Sequence, residues 1–374
     1  MNVIVLTPDR VGSTLLQRLL TVYMAAHNFD KPVINIHDIT NGLEIYHSDV
    51  FNQEVLGKPQ FYSKNFSKRK WGYYQSLDTV VNMLDQVDHY KTARLIHYHI
   101  KHRQDSLADQ LHLYDYLNKN FFIISARRSN IFEYAISWLI TLATKSFNVT
   151  THDEKLDAYH KIYKNGINVD PKIMEKYLTD YKNYLKWCDD HFQVNSYFDY
   201  DKDLKNIENY ILNLDVFADK NKRTWNDIFS MEWEDWNKCH KLISDMGSSD
   251  TKLLENFGTI PSKNQSSLDL LRTNLSLENQ KYLIDHGKNY TTVYSGIEEL
   301  IRQGVLPTGI PIKLQTLAEK RKIIKNFDQC VEVYNQWVDR NEFGEKYTDS
   351  DLKLLANEEV KRWYPDIPKN LLLE

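Results

Sequence analysis

A turn that could bind an anion lies close to the amino terminus. Residues 7–16 read TPDRVGSTLL, and the leucines that follow the glycine recur at helical spacing, so a helix is expected to begin near Ser13 and Thr14. The N–H groups at a helix start and the helix dipole together attract anions, and the planar guanidinium of Arg10 suits a terminal phosphate. An ordinary helix capped by one of the two hydroxyls would have the same sequence. Both interpretations stay open at this point.

The turn lacks two residues of the commonest phosphate-binding loop, GxxxxGK[ST]. A loop of that type with its second glycine at Gly12 needs glycine at Thr7 and lysine at Ser13, and the chain has neither. Without that lysine, the β- and γ-phosphates of a nucleoside triphosphate lose their main partner. A donor with a single terminal anionic group suits the turn better.

A second candidate anion site follows the apolar run FFIISA, where Arg127 and Arg128 stand side by side. Ser137 lies on the helix predicted after them. Two arginines at the end of a buried strand are costly to bury unless an anion meets them. The competing interpretation is an ion pair between one arginine and Glu133 or a nearby aspartate.

A third group of chemically active residues occurs in LIHYHIKHR, which contains His97, His99, Lys101 and His102. Histidine can accept a proton near neutral pH, and lysine can neutralise developing negative charge. If the strand continued this far, alternation would place the first three on one face and His102 on the other. A metal site formed by the histidines is not favoured, because no carboxylate or cysteine ligand lies nearby in sequence. Asp38, after the second predicted strand, is a further candidate base.

Strands and helices alternate along the first 215 residues or so, and the predicted strands occupy 3–6, 33–36, 93–102, 121–126 and 194–200. This alternation predicts an α/β fold: a three-layer, doubly wound, mostly parallel sheet of about five strands with a P-loop-like strand–turn–helix. Ligands of such sheets bind beyond the carboxyl ends of the strands, which is where the motifs above fall.

Strand signals fade after residue 215, and amphipathic helices follow, such as TLAEKRKIIKNFDQCVEVYNQWV at 316–338. The expected division is an α/β domain over 1–270 and a helical carboxyl-terminal extension over 271–374. The net charge of −4 gives no global field that would recruit nucleic acid. No apolar run reaches the roughly 18 residues of a membrane span, and the apolar start is too short for a signal peptide. A cytoplasmic protein without membrane or nucleic-acid partners is expected.

The order and strand placement of these motifs resemble the sulfotransferase family, which uses 3′-phosphoadenosine 5′-phosphosulfate (PAPS) as donor. The family pattern P-[KR]-[SV]-G-[ST]-T-x-L holds the 5′-phosphosulfate. It corresponds here to Pro8, Arg10, Val11, Gly12, Ser13, Thr14 and Leu16, with Asp9 as one extra residue. The segment YFDYDKDLKNIENYILNL (197–214) is similar to a structural stretch of the family, so the resemblance covers roughly residues 1 to 215.

The resemblance also implies roles for the arginine and histidine motifs. In the family, an arginine that ends a strand and a serine about eight residues later hold the 3′-phosphate. Arg128 and Ser137 fit but lie nine apart, so a register shifted by Arg127 or Ser129 stays open. Many members end the third strand with Lys-x-His, whose histidine is the base, and others use a carboxylate after the second strand. Here His102 or His99 is expected as base and Lys101 as donor to the transferring group, with Asp38 as a rival base. A late basic loop closes over the donor in the family, which implies that role for Lys263.

Taken together, the motifs and the resemblance imply a PAPS-dependent sulfotransferase. It would move a sulfuryl group to a hydroxyl or amine of a small-molecule or carbohydrate acceptor and release 3′,5′-ADP without a metal. Two alternatives remain: a P-loop nucleotide-dependent phosphotransferase, and a non-catalytic sulfotransferase-like binding or assembly protein. Magnesium-dependent binding of ATP would favour the phosphotransferase, and absence of donor binding would favour the non-catalytic protein.

Overall fold

A computed structural model describes the parts of the chain that carry most of these motifs. The described residues are 2–13, 16–17, 20, 23–24, 27, 33–36, 38–40, 76–86, 90–144, 165–217 and 317–363. Two of the expected donor-binding residues, Thr14 and Lys263, lie outside this set.

The described strands pair in parallel in the order β2-β3-β1-β4-β5. They are β1 (Asn2–Thr7), β2 (Val33–Ile36), β3 (Tyr90–Ile96), β4 (Phe122–Arg127) and β5 (Ser196–Asp199). The predicted α/β class and parallel sheet are therefore confirmed. The central strand β1 reads VIVL over 3–6 and is almost wholly buried, as expected of an apolar, β-branched run covered on both faces of a parallel sheet.

The connections between strands create one point where the chain diverges. The strand that follows β1 in sequence, β2, lies on one side of β1 in the sheet. The strand that follows β4, β5, lies on the opposite side of the sheet. β1 and β4 are neighbours, with Leu6 paired to Ser125. In open parallel sheets, ligands bind outside the carboxyl ends of strands at such a divergence. The turn after β1 lies at this position.

The third strand is shorter than its sequence pattern predicts. The prediction of a strand over 93–102 is wrong beyond Ile96, because residues 97–101 form a short helix. The reason is the length of the neighbouring strand: β1 ends at Thr7, which pairs with Ile96, so the following residues have no β1 backbone to pair with. The alternation that separated His102 from the other histidines therefore does not apply.

The described α-helices are α1 (Leu77–Gln86), α2 (His97–Lys101), α3 (Leu107–Asn120), α4 (Ile131–Thr144), α5 (Pro171–His191), α6 (Tyr200–Asp203), α7 (Ile207–Leu212), α8 (Leu317–Ile323), α9 (Phe327–Asn341) and α10 (Asp349–Trp363). Ser106 caps α3, since its hydroxyl accepts a hydrogen bond from the Asp109 N–H. Within the described part of the chain, no helix combines the length and the apolar character needed to cross a membrane.

The chain divides into two compact units, each made of two segments. Unit 1 comprises Met1–Arg127 and Tyr184–Val293, and unit 2 comprises Arg128–Asn183 and Tyr294–Glu374. The parallel sheet belongs to unit 1. Unit 2 has its own aromatic core, in which the ring of Phe132 on α4 lies 5.1 Å from that of Tyr334 on α9.

Candidate active site

The turn after β1 has an unusual backbone. Asp9, Arg10 and Gly12 all have positive φ, at 67°, 59° and 70°, which non-glycine residues adopt rarely. The Asp9 N–H donates to the Thr7 hydroxyl at 3.0 Å. Helical residues begin at Ser13, and the first helical hydrogen bond runs from the Leu16 N–H to the Gly12 carbonyl at 3.0 Å. A strand, a turn and helical residues therefore follow one another here. The positive φ angles of Asp9 and Arg10 were not predicted from the sequence.

Glycine is required at position 12 for two reasons. Its φ of 70° lies in the left-handed region, and a Cβ added there would lie 2.7 Å from Cδ2 of Tyr200. A distance that short forces either the ring or the turn to move. Tyr200 begins α6 directly after β5, so the turn packs against the start of that helix.

Asp38 and His99 form a buried acid–base pair. Oδ2 of Asp38 contacts Nδ1 of His99, although the two residues are 61 positions apart in sequence. The Asp38 side chain is fully buried, whereas that of His99 keeps 11% of its surface exposed. The other carboxylate oxygen accepts from the N–H and the hydroxyl of Thr40, at 2.9 and 2.7 Å. These bonds orient the carboxylate, and the carboxylate orients the imidazole.

Further charged groups surround this pair. Burial raises the pKa of Asp9 above its ordinary value, Arg94 and His99 oppose the rise, and Asp38 adds to it. Arg94 lies on β3 beside Val5 of β1 and is itself buried. The carboxyl ends of β1, β2 and β3 therefore bring Asp9, Asp38 and His99 to one edge of the parallel sheet.

The remaining residues of the histidine motif have different environments. His97 is buried, and its ring centroid lies 5.0 Å from that of Trp187, so it is a core residue. Lys101 and His102 are exposed, and the His102 ring lies 4.3 Å from that of Tyr98. Among the described residues, no group of three or more histidine, cysteine, aspartate or glutamate side chains is placed to hold a metal ion.

In unit 2, Arg128 has the ion pair that the sequence left open. Its Nη2 lies 3.0 Å from Oε2 of Glu133, and Lys320 contacts Oε1 of the same carboxylate. All three side chains are at least 95% buried. Burial alone would raise the pKa of Glu133, but Arg128 and Lys320 outweigh it and hold that pKa below its ordinary value. Ser137 lies on α4 of the same unit, where its carbonyl accepts from the Thr141 hydroxyl at 2.8 Å.

Arg127 is held in unit 1 by three contacts. Its Nε donates to the Ser125 hydroxyl at 3.2 Å, and its Nη2 donates to Oδ1 of Asp189 at 3.4 Å. Its guanidinium also lies 3.9 Å from the centroid of the Tyr197 ring. The two adjacent arginines thus have separate partners.

Sequence reasoning did not single out three residues that bear on the Asp38–His99 pair. Arg94 had a signal, because a charged residue inside the apolar run ARLI needs a partner when buried. Thr40 also had one, since an aspartate two residues before a threonine is typical of a side chain that bonds back to the backbone of its own turn. Arg103, which donates to the Thr40 carbonyl at 2.8 Å, had no signal in its spacing.

No family model, no curated protein and no solved structure matches this chain in comparison with known proteins. The function is therefore inferred from the chain's own residues and from the motif resemblance described above.

Proposed function

We propose that the protein is a PAPS-dependent sulfotransferase that transfers a sulfuryl group to a hydroxyl of a small-molecule or carbohydrate acceptor. The observation that carries the proposal is the buried Asp38–His99 pair, which lies at the same edge of the sheet as the left-handed turn after β1. A base and a candidate anion turn at one edge are the two parts that sulfuryl transfer requires.

His99 is the proposed base. Its imidazole takes the proton of the acceptor hydroxyl as the oxygen attacks sulfur, the bond from sulfur to the 5′-phosphate oxygen breaks, and 3′,5′-ADP leaves with that electron pair. Asp38 stabilises the imidazolium that forms, because an oriented carboxylate favours the charged ring. The pairing makes Asp38 a partner of His99 where the sequence had presented it as a rival base. His102 is a weaker candidate, since it is exposed and its ring contacts Tyr98 in a tilted arrangement.

The turn after β1 is the proposed site of the donor's phosphosulfate. Successive backbone N–H groups of a turn can converge on one point, which is a recurrent way to bind an anion. Arg10, Val11, Gly12, Ser13 and Thr14 would form this site. Burial raises the pKa of Asp9, and the positive charges of Arg94 and Arg10 oppose that rise, so cationic groups accompany this side chain beside the proposed site.

The other donor contacts follow the family resemblance. The resemblance implies that Arg128 and Ser137 bind the 3′-phosphate, but both belong to unit 2, where Arg128 pairs with Glu133, so the donor site proposed here is limited to residues of unit 1. Lys101 is proposed to neutralise charge on the transferring group. The role that the resemblance implies for Lys263 falls on a residue outside the described part of the chain. No Walker lysine or metal takes part in this scheme.

Calorimetric titration of 3′,5′-ADP and of ATP with magnesium tests the donor site. We expect micromolar binding of 3′,5′-ADP to the wild type, at least tenfold weaker binding to Arg10→Met, and no binding of ATP. Arg340→Met is the matched control, since Arg340 forms an exposed pair with Glu175 and should bind as the wild type does. Tight magnesium-dependent ATP binding would replace the proposal with a phosphotransferase, and absence of binding by either nucleotide would reject a donor site.

Transfer of [35S]sulfate from labelled PAPS to a panel of sugar and aryl hydroxyls tests the base. We expect His99→Gln to lower kcat by about 10²–10⁴-fold, the usual contribution of a general base. His112→Gln is the control, because His112 is half exposed on α3 and pairs with Asp78 at the surface. Unchanged kcat in His99→Gln would exclude His99 as the base.

A further inference from the structure

We infer that Arg103 and Asp105 are positioning residues that hold the Asp38 loop against His99. The geometric part of this inference stands on contacts within unit 1. Its catalytic consequence rests on the proposed function, in which His99 is the base.

Arg103 is a buried guanidinium with contacts on several of its nitrogens. Its side chain is 2% exposed, and its Nε contacts Oδ2 of Asp105. Its Nη2 donates to Oδ1 of Asp105 at 3.1 Å, and its Nη1 donates to the Thr40 carbonyl at 2.8 Å. A planar guanidinium with a bidentate carboxylate cannot rotate freely, so Asp105 restricts the orientation of Arg103 and thereby of its bond to the Thr40 carbonyl.

The Thr40 contact extends to the acid–base pair through a short loop. Thr40 donates both its N–H and its hydroxyl to Oδ1 of Asp38. Between them, the Ile39 N–H donates to the Arg94 carbonyl of β3 at 3.1 Å. The loop is thus tied to β3 at its middle and to Arg103 at Thr40. The other oxygen of Asp38 then faces His99.

Asp105 anchors this arrangement to a helix as well. Its Oδ1 accepts a hydrogen bond from the Leu77 N–H at the start of α1, at 3.2 Å. The carboxylate therefore joins three pieces of chain: the segment after α2, the start of α1 and, through Arg103, the Asp38 loop. Together with the Ile39–Arg94 backbone hydrogen bond, Arg103 therefore links the surrounding fold to the loop that places Asp38 beside His99.

The pH at which His99 titrates shows whether Arg103 positions Asp38 beside His99 or only stabilises the fold. Among the described residues, the charged groups that interact with His99 include Asp38, which contacts its Nδ1, and Asp9 on the turn after β1, which also interacts with Arg94 and Arg10. Displacement of Asp38 alone removes a stabilising negative charge from the imidazolium. A carboxylate this close typically shifts such an equilibrium by at least about 1 pH unit.

The experiment is a 1H–15N NMR titration of the full chain, with the His99 signal assigned by its loss in His99→Gln. We expect the His99 midpoint to fall by about 1 pH unit in Arg103→Met, by a similar amount in Asp38→Asn, and by less in Arg103→Lys, whose ammonium can still donate to Thr40. Arg340→Met is the control and should leave the midpoint unchanged. If Arg103→Met does not fold, Arg103→Lys decides by itself.

Kinetics complete the test and keep the two proposals distinguishable. We expect Arg103→Lys to lower kcat with little change in KM, because Arg103 contacts the Asp38 loop and not the proposed acceptor. An unchanged His99 midpoint in a folded Arg103 variant, while Asp38→Asn shifts it, would overturn the inference even if sulfuryl transfer is observed. A shifted midpoint without any donor binding would uphold the positioning role and reject the proposed function.

Discussion

Each unit buries a carboxylate with its partners, but the two arrangements differ in whether those partners can gain or lose a proton near neutral pH. In unit 1, Asp38 faces His99, which keeps 11% of its side-chain surface exposed. In unit 2, Glu133 lies between Arg128 and Lys320, and all three side chains are at most 5% exposed. Histidine exchanges its proton near neutral pH, whereas arginine does not lose its charge in proteins.

The difference separates a group suited to chemistry from a group suited to stability. The Asp38–His99 pair can gain or lose a proton without breaking apart, and His99 is accessible at its margin. The Glu133 cluster has fixed charges, and each member depends on the others for compensation. A pair of arginines in sequence pointed to an anion site, yet Arg128 already has a carboxylate beside it.

The largest expected effect on stability comes from removing the central charge of the unit 2 cluster. Glu133→Gln leaves Arg128 and Lys320 buried without their carboxylate, so the free energy of unfolding should fall by about 3–5 kcal/mol. Urea denaturation, monitored by circular dichroism, measures this free energy. Glu175→Gln, which breaks the exposed pair with Arg340, should change the same quantity by less than about 1 kcal/mol. Equal losses in the two variants would contradict the comparison.

Acid should affect the same cluster in a defined range of pH. The pKa of Glu133 is lowered from its ordinary value of 4.5 by its two cations, so the unfolded chain binds this proton more readily than the folded chain. The stabilisation is present above pH 4.5 and is lost as the pH falls through the lower folded pKa. Urea midpoints measured from pH 6 to pH 3 should therefore decline more steeply in the wild type than in Glu133→Gln. Parallel declines would show that Glu133 does not contribute.

A smaller loss is expected when the turn after β1 is altered. Gly12→Ala forces a side chain into a left-handed residue and against Tyr200, which should lower the free energy of unfolding by about 1–3 kcal/mol. Gly166→Ala in unit 2 is a matched control, because its φ is 69° and an added Cβ would lie 3.1 Å from the Ile323 carbonyl. Both variants should lose stability, but only Gly12→Ala should weaken binding of 3′,5′-ADP. Equal binding by the two would argue against the turn as the donor site.

The smallest effect is expected at a buried tyrosine of unit 2. The Tyr334 hydroxyl is buried and has no hydrogen-bond partner among the residues that the structure describes. Tyr334→Phe should therefore leave the free energy of unfolding unchanged or raise it by up to about 1 kcal/mol. Tyr181→Phe is the contrasting variant, because the Tyr181 hydroxyl accepts from the Arg128 N–H and donates to the Arg128 carbonyl. The free energy of unfolding of Tyr181→Phe should fall by roughly 0.5–1.5 kcal/mol. A fall of that size in Tyr334→Phe would mean that the Tyr334 hydroxyl has a hydrogen-bond partner.

Local pattern predicted most of the described fold. Apolar runs bounded by turn residues placed β2 at Val33–Ile36 and brought β1, β4 and β5 within a few residues of their bounds, because a strand buried on both faces needs a continuous apolar run. The turn after β1 was located by Gly12 and the hydroxyls that follow it. Its left-handed residues Asp9 and Arg10 were not, since neither residue type requires a positive φ.

The sequence by itself determined the strands, the turn and the residue types available for chemistry, because these depend on neighbours a few positions away. Tertiary structure decided three further points, each through contacts between distant parts of the chain. β3 ends at Ile96 because its partner β1 ends. Arg128 lies beside Glu133 and close to Lys320, which lies 187 residues from that glutamate. Among the histidines of the motif, His99 is the proposed base because the fold brings Asp38 to it. The spacing of residues within one segment carries no information about a pairing with a distant segment.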